Sequence, residues 1–286
     1  MPAPLFLILL VAVWPLVQCH TTFVHIAHNG EWQEPLRYIR NKTAPYDDIG
    51  HSPDNPTSFR GYNFPTYPND RPESIRCGRG HMTHTPDTDV LTLRAGDTLE
   101  FAHQRYEPFE WKPEHFINCP EGRGTCDSPT VPEGQDIHSY DGSGEWVKIY
   151  TLGVERREPN NPKNPYLWLP HNDGNLPPRF AFKIPPQTPS GQYLLRIDMI
   201  WPGTVIGDYR ISAQMYPSCA QIEVDGTTTS GILPQGIRIP EEMSDTSPGM
   251  SQSQAMHEAK TVDTDWVYPG GLLWNGERLI EDRPVL

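Results

Sequence analysis

The segment Glu145–Leu152, EWVKIYTL, alternates Trp, Lys and Ile as a strand with one buried face requires. Similar short runs, separated by clusters of turn residues, recur along the chain at residues 21–27 (TTFVHIA), 89–103 (DVLTLRAGDTLEFAH), 179–184 (RFAFKI), 192–199 (QYLLRIDM), 211–215 (ISAQM) and 220–224 (AQIEV). The run at 89–103 is predicted to be a hairpin that turns at its Ala-Gly-Asp. The 32 prolines and 23 glycines argue against long helices. The sequence therefore predicts an all-β fold, an antiparallel β-sandwich with long loops.

The two ends of the chain differ from this body. Residues 1–19 (MPAPLFLILLVAVWPLVQC) carry no charged side chain and end in residues small enough for signal peptidase, which predicts a secretory signal peptide. Residues 20–240 are predicted to form the β-sandwich domain and residues 241–286 a C-terminal extension. Within that extension, the polar residues 241–265 are predicted to form a flexible tail and the apolar residues 266–274 (WVYPGGLLW) to pack back on the body.

The charge of the chain narrows the choice of partner. A formal net charge of −13 argues against binding to nucleic acid or to an anionic membrane. It suits a secreted, extracellular protein that acts on a neutral partner such as a polysaccharide. In that compartment the sequon Asn41-Lys-Thr43 is an acceptor for N-glycosylation.

The cysteines predict two disulfides. Cys19 leaves with the signal peptide, and the four that remain would lie in an oxidising compartment, where three pairings are possible. Cys119 and Cys126 are close in sequence across CPEGRGTC, whose glycines permit a tight reversal, so these two are paired locally. Cys77 is then paired with Cys219 across the fold.

Cleavage after Cys19 would give the chain a metal-chelating end. Histidine would become its first residue, and the free α-amine and ring Nδ1 of His20 could then chelate one metal ion. Other catalytic motifs are weaker: the sequence has no GxSxG, no HExxH and no phosphate loop. Acids such as Glu110 and Glu114 could suggest glycoside hydrolysis, but surface acids are the simpler interpretation.

Four segments carry a family resemblance: residues 20–23 (HTTF); residues 77–80 (CGRG) followed by 93–99 (LRAGDTL); residues 139–150 (SYDGSGEWVKIY); and residues 190–196 (SGQYLLR) followed by 213–224 (AQMYPSCAQIEV). Over most of residues 20–226 the chain resembles the fungal lytic polysaccharide monooxygenases of auxiliary activity family nine. The resemblance implies an immunoglobulin-like or fibronectin-III-like sandwich with a flat copper face. It also implies one copper ion per chain, oxidative cleavage of a cellulose-type β-1,4-glucan, an external electron donor, O2 or H2O2 as co-substrate, and a monomer.

The same resemblance assigns roles to particular residues. His20 is implied as the N-terminal copper ligand, Tyr216 as the axial residue and Gln214 as a hydrogen-bonding neighbour of the oxygen position. The family's second histidine stands in a His-x-Gly-Pro motif that is absent here. His115, in PEHFINC, is favoured for that place, and His103 is the alternative. The remaining histidines near these segments are interpreted as surface or packing residues: His25, His28, His81 and His84.

A further departure concerns position 197. Family members commonly carry a histidine after the Leu-Arg of this strand, where it handles protons, and this chain has Ile197 instead. Weaker oxidative cleavage is therefore expected. The alternatives are a non-catalytic or weakly active copper-binding or cell-wall-binding protein on the same scaffold and, beyond that, a carbohydrate-binding sandwich without metal.

Overall fold

The computed structural model describes residues 22–42, 65–103, 124–128, 130–157, 165–169, 180–206, 209–226 and 233–284. Within these ranges the helices are short: α-helices at Pro72–Cys77 and Gln254–His257, and 3-10 helices at His81–Asp87 and Ile137–Ser139. None of the described helices has the length and hydrophobicity needed to cross a membrane.

Strands make up most of the regular structure. In chain order they are β1 (Phe23–His28), β2 (Glu31–Trp32), β3 (Leu91–Arg94), β4 (Thr98–His103), β5 (Gly124–Ser128), β6 (Glu145–Leu152), β7 (Val154–Arg156), β8 (Tyr166–Trp168), β9 (Phe180–Lys183), β10 (Gly191–Trp201), β11 (Gly203–Ile206), β12 (Tyr209–Ile211), β13 (Gln214–Met215), β14 (Ser218–Asp225), β15 (Ile237–Arg238), β16 (Ser251–Gln252), β17 (Leu273–Trp274) and β18 (Leu279–Ile280).

Two main sheets form the body. The smaller has the order β2-β1-β4-β9, and the larger has the order β18-β17-β6-β5-β10-β14-β3, with β13 on β10 and β15 on β6. Their strand pairs are antiparallel except β14–β3 and β17–β6, which are parallel. The predicted immunoglobulin-like β-sandwich is confirmed.

The main hydrophobic core lies between these sheets. The smaller sheet contributes a group of aromatic rings in which Phe23 meets Phe180 edge to face, with ring centroids 5.4 Å apart. The larger sheet contributes alternate residues of β10, among them Leu195, Ile197 and Met199, each no more than 1% exposed. Because successive side chains of a strand point to opposite faces, the intervening residues of β10 lie on the outer side of the larger sheet.

The hairpin predicted for residues 89–103 is wrong. The two strands lie in different sheets, since β3 pairs with β14 whereas β4 pairs with β1 and β9. The turn between them is a corner: Ala95 donates its backbone N–H to the carbonyl of Asp225 at 3.2 Å, and Gly96 donates to that of Ile184 at 3.0 Å. Alternation cannot separate the two arrangements, because both place the same apolar residues toward the core.

A second apolar layer covers the outer face of the larger sheet. It includes Ile75 of the helix Pro72–Cys77, Leu194 and Ile200 of β10, and Met243 and Met250 from the C-terminal segment. The disulfide Cys77–Cys219 crosses this layer and ties the helix to β14, with Cα atoms 5.1 Å apart. This predicted pairing is confirmed.

The C-terminal residues pack on the body. Met243, Met250 and Met256 are fully buried, and β16 pairs in parallel with β11. Trp266 and Trp274, from the apolar stretch predicted to pack back, are 8% and 5% exposed. These contacts attach residues 241–265 to the sandwich rather than leaving them as a separate tail, and the domain boundary at residue 240 stays a prediction.

Candidate functional site

Tyr216 and Gln214 form a hydrogen-bonded pair where β13 ends. The Tyr216 hydroxyl donates to Gln214 Oε1 at 2.8 Å; the tyrosine is 4% exposed and the glutamine is half-buried. Their spacing of two residues puts both on one face of an extended segment. The backbone N–H of Tyr216 donates to Asp198 Oδ1 at 2.6 Å and also approaches the carbonyl of Met199 at 3.2 Å. These bonds to β10 fix the position of the tyrosine.

The start of β1 lies beside this pair. The hydroxyl of buried Thr22 is 3.5 Å from that of buried Ser218, which follows Tyr216 by two residues. Phe23 belongs to the same apolar core as Tyr216. His20 itself lies outside the described residues, but the described chain begins next to the segment that carries the tyrosine.

The second histidine of the predicted metal site is not located. His115 lies outside the described residues. The alternative, His103, is the last residue of β4, and its backbone stands opposite Phe23 in the register with β1. Among the described residues there is no cluster of three or more His, Cys, Asp or Glu side chains that could hold a metal ion. A metal site here would depend on His20 and a second histidine.

Other histidines near the predicted site are packed or paired. His25 is buried, and burial lowers its pKa to about 4. His81 is fully buried with Nδ1 3.2 Å from Arg40 Nη1, and burial lowers its pKa well below the ordinary value, so its ring is neutral and accepts from the guanidinium. His28 Nε2 lies 2.7 Å from Asp97 Oδ2. These surroundings agree with the packing and surface roles expected for them.

Ile197 lies inside the core rather than at the rim of the sandwich. It is fully buried in the cluster that also holds Tyr216, and its backbone stands opposite Ser218 of β14. Its neighbours Arg196 and Asp198 point to the other face, as expected, and form a buried ion pair there. A histidine at position 197 would be enclosed by apolar side chains, and the weaker cleavage expected from Ile197 stays a prediction.

The structure adds two residues that sequence reasoning missed, Trp201 and His257. Trp201 ends β10 and stands directly opposite Gln214 of β13. The His257 ring lies nearly parallel to the indole, with ring centroids 5.5 Å apart and 15° between the planes. The alternation Ile197, Met199, Trp201 could have indicated that Trp201 shares their face. The sequence carries no signal that residue 257 returns to β10.

Two further predicted sites remain untested. Cys119 lies outside the described residues and only the backbone of Cys126, in β5, is described, so their disulfide stays a prediction. Asn41 is half-buried and its Oδ1 accepts the backbone N–H of Lys42 at 2.8 Å. Its glycosylation also stays a prediction.

Comparisons with known proteins agree on one family. The model of Auxiliary Activity family 9 (formerly GH61) matches residues 20–262. The chain is 27% identical over 277 residues to AA9 family lytic polysaccharide monooxygenase C of Malbranchea cinnamomea, which covers 96% of this chain and 100% of the relative. It is 34% identical over 181 residues to AA9 family lytic polysaccharide monooxygenase E of Thermothielavioides terrestris, covering 62% of this chain and 67% of the relative.

Solved structures show the same fold. CvAA9A superposes with a TM-score of 0.59 at 20% sequence identity, covering 91% of this chain and 100% of that one. Cel61B of Hypocrea jecorina, a glycoside hydrolase family 61 member, superposes with a TM-score of 0.57 at 21% identity, covering 89% and 100%. Together with the family match, which spans most of the sequence, they lead to one conclusion. The chain belongs to Auxiliary Activity family 9, the fungal lytic polysaccharide monooxygenases.

Proposed function

We propose that this protein is a secreted, copper-dependent monooxygenase that cleaves cellulose-type β-1,4-glucan chains oxidatively. The observation that carries the proposal is the Tyr216–Gln214 pair, held beside the start of β1 in a chain of this family. When bound, copper would supply the one-electron redox chemistry that lets O2 or H2O2 oxidise a C–H bond next to the glycosidic oxygen.

The donors available near this pair suit copper. A chain that starts at His20 would offer an α-amine and an imidazole, and His115, or His103 in its place, would offer a second imidazole. Nitrogen donors of this kind favour Cu(II), which accepts a tetragonal arrangement. Two residues of extended chain span at most about 7 Å, so a chain beginning at His20 would begin within that distance of Thr22. Thr22 in turn contacts Ser218, next to the tyrosine segment.

Tyr216 would lie near a bound copper ion as a firmly held phenol that binds metal only weakly. Because the Tyr216 hydroxyl donates its proton to Gln214 Oε1, the phenol is neutral in this arrangement and a weaker ligand than a phenolate. The same bond leaves the Gln214 amide N–H groups to donate to an oxygen atom nearby. Asp198 and the backbone of Met199 hold the segment in place, so little reorganisation would accompany binding.

The substrate and setting follow from charge and family. A net charge of −13 favours a neutral polymer over a polyanion, because like charges repel. A signal peptide at residues 1–19 would deliver the protein outside the cell, where an external donor would supply electrons. The chain would act as a monomer.

A second candidate, a non-catalytic or weakly active copper-binding or cell-wall-binding protein, is favoured by one observation. The sequence around His115 lacks the Gly-Pro of the family motif. Both candidate functions predict copper binding, but only the first predicts that oxidised products form in quantity.

The experiment uses secreted protein whose first residue is verified as His20. Copper-loaded protein is incubated with amorphous cellulose and a small-molecule reductant, and released oligosaccharides are analysed by mass spectrometry. Oxidised cello-oligosaccharides that disappear after copper chelation would support the proposal. Copper binding without oxidised products would favour the second candidate. Products that are only hydrolysed, with no oxidation, would overturn the proposal.

Variants of the pair make the test specific. Tyr216→Phe removes the hydroxyl that bonds Gln214 but keeps the ring in the core, and Gln214→Ala removes the amide. Because both residues would act near the reacting oxygen, each variant is expected to lower the yield of oxidised product by at least about 10-fold. Trp274→Phe, a buried aromatic change in β17, is the matched control and should leave the yield unchanged.

A further inference from the structure

One face of β10 leads from the core to the rim at the candidate site. Ile197 and Met199 are no more than 1% exposed, whereas Trp201, the next residue on that face, is half-buried. Across the strand pair, Trp201 stands opposite Gln214. Directly opposed residues on antiparallel strands have Cβ atoms about 5 Å apart and share a face. The indole of Trp201 therefore borders the glutamine that accepts the hydroxyl of Tyr216.

His257 reaches this rim on a firmly held segment. It ends the helix Gln254–His257, whose N-terminus is capped by Ser253: the Ser253 hydroxyl accepts the backbone N–H of Met256 at 3.1 Å. Asp263 in turn accepts the Ser253 hydroxyl at 2.6 Å and its backbone N–H at 2.8 Å. Met256 is fully buried. The position of the histidine is thus set by the fold of the C-terminal segment.

The contacts of His257 define which ring nitrogen carries the proton. The indole Nε1 of Trp201 donates to His257 Nδ1 at 3.4 Å, and Gln252 Nε2 lies 3.4 Å from the same nitrogen. An indole N–H can only donate, so Nδ1 must present a lone pair in this arrangement. Protonation of Nδ1 would place its N–H opposite the indole N–H of Trp201, and the indole would lose its hydrogen-bond acceptor.

We propose that His257 is a positioning residue of the candidate copper face: its unprotonated Nδ1 accepts the indole N–H of Trp201 and so fixes that ring beside Gln214. Its relevance to copper rests on the proposed function. In this arrangement the histidine acts through Trp201 and Gln214 and touches neither Tyr216 nor the chain start in the described contacts. The C-terminal segment thereby supplies the rim with a titratable ring, whereas position 197 is closed inside the core.

The charges around His257 set the direction of its response to pH. Glu258, next in the chain, is bonded by Lys260 and Gln254, so its carboxylate is partly neutralised. The neighbours that contact the ring from β10 and β16, Trp201 and Gln252, are uncharged. Burial lowers the pKa of His257, and Glu258 opposes this shift. The arrangement should therefore hold at neutral pH and be lost on acidification.

Tryptophan fluorescence tests the contact without copper. Metal-free wild type and Trp201→Phe are titrated from about pH 7.5 to about pH 4, and their difference isolates Trp201. The difference signal should change with a midpoint below the ordinary histidine value. His257→Phe keeps an aromatic ring beside the indole but cannot accept a hydrogen bond, and His257→Gln is neutral throughout. The transition should be lost in both, and retained in His138→Gln, a control histidine that pairs with Asp136. An unchanged transition in His257→Phe would overturn the proposal.

Electron paramagnetic resonance of the Cu(II)-loaded protein tests whether the contact reaches the metal. Over the same pH range the wild-type spectrum should shift together with the fluorescence, and the shift should be absent in His257→Gln and present in His138→Gln. If copper binds but the spectral shift with pH is the same in His257→Gln as in wild type, this inference is overturned and the proposed function is left intact. A wild type that binds no Cu(II) at all overturns the proposed function instead, while the fluorescence transition still reports on the histidine and the indole.

Discussion

Removal of the Cys77–Cys219 disulfide is expected to cost several kcal/mol of stability. The bond joins residues 142 apart in sequence, and both cysteines are fully buried. In the chain-entropy description, closing a loop of that length restricts the unfolded chain by about 5 kcal/mol at 25 °C. Relaxation of the native state makes the measured loss of stability smaller than this value. The double variant Cys77→Ala/Cys219→Ala should therefore lower the free energy of unfolding by about 3–5 kcal/mol.

Urea unfolding followed by tryptophan fluorescence measures this loss. The matched comparison is Cys119→Ala/Cys126→Ala, which would open a loop of only seven residues in sequence and should cost about 2–3 kcal/mol. The ranking of the two variants tests the loop-length argument itself. A loss below about 1 kcal/mol for the long loop, or a larger loss for the short one, would refute the reasoning that the bond acts on the unfolded chain.

Two further predictions concern buried side chains. Ile197→His places an imidazole in the apolar core and should lower the free energy of unfolding by about 2–5 kcal/mol without raising the yield of oxidised product. The milder variant Ile197→Val should lower the free energy of unfolding by only about 0.5–1.5 kcal/mol. A rise in oxidised product from Ile197→His with unchanged stability would contradict this. His25 has a folded pKa near 4, below the value of about 6.5 expected when unfolded, so the unfolded chain binds more protons between those values and stability falls as pH drops through this window. His25→Leu should lose less stability than wild type between pH 6.5 and 4 in urea titrations at each pH; identical losses would remove His25 as a cause.

Local sequence patterns predicted the strands better than their arrangement. The strand predicted at Glu145–Leu152 matches β6 at both ends. Its burial does not alternate as expected, because Lys148 is buried too, with its Nζ 2.8 Å from Asp282 Oδ2. The corner after β3 was mistaken for a hairpin because a turn motif does not say which sheet receives the next strand. The packing of residues 241–265 was missed because its buried methionines stand in short irregular segments with no period to recognise.

In the candidate site, too, local spacing was predictable from the sequence and the tertiary arrangement was not. The spacing of Gln214 and Tyr216 predicts a shared face, and their hydrogen bond agrees with it. Trp201 and His257 depend on strand register and on a distant segment returning to β10, which pairwise spacing along the chain does not encode. The burial of Ile197 could not be predicted, because a residue's place in a motif does not reveal its depth in the core; the weaker cleavage expected from it stays a prediction.

Copper binding at the N-terminus is the central claim. Isothermal calorimetry of Cu(II) should compare protein that begins at His20 with the same protein extended by one glycine before His20. The extension moves the free amine out of chelating range and leaves the other side chains unchanged. We predict one Cu(II) bound per chain that begins at His20, and affinity at least about 100-fold weaker in the extended form, a difference of about 2.7 kcal/mol. Equal affinity in the two forms would contradict the account.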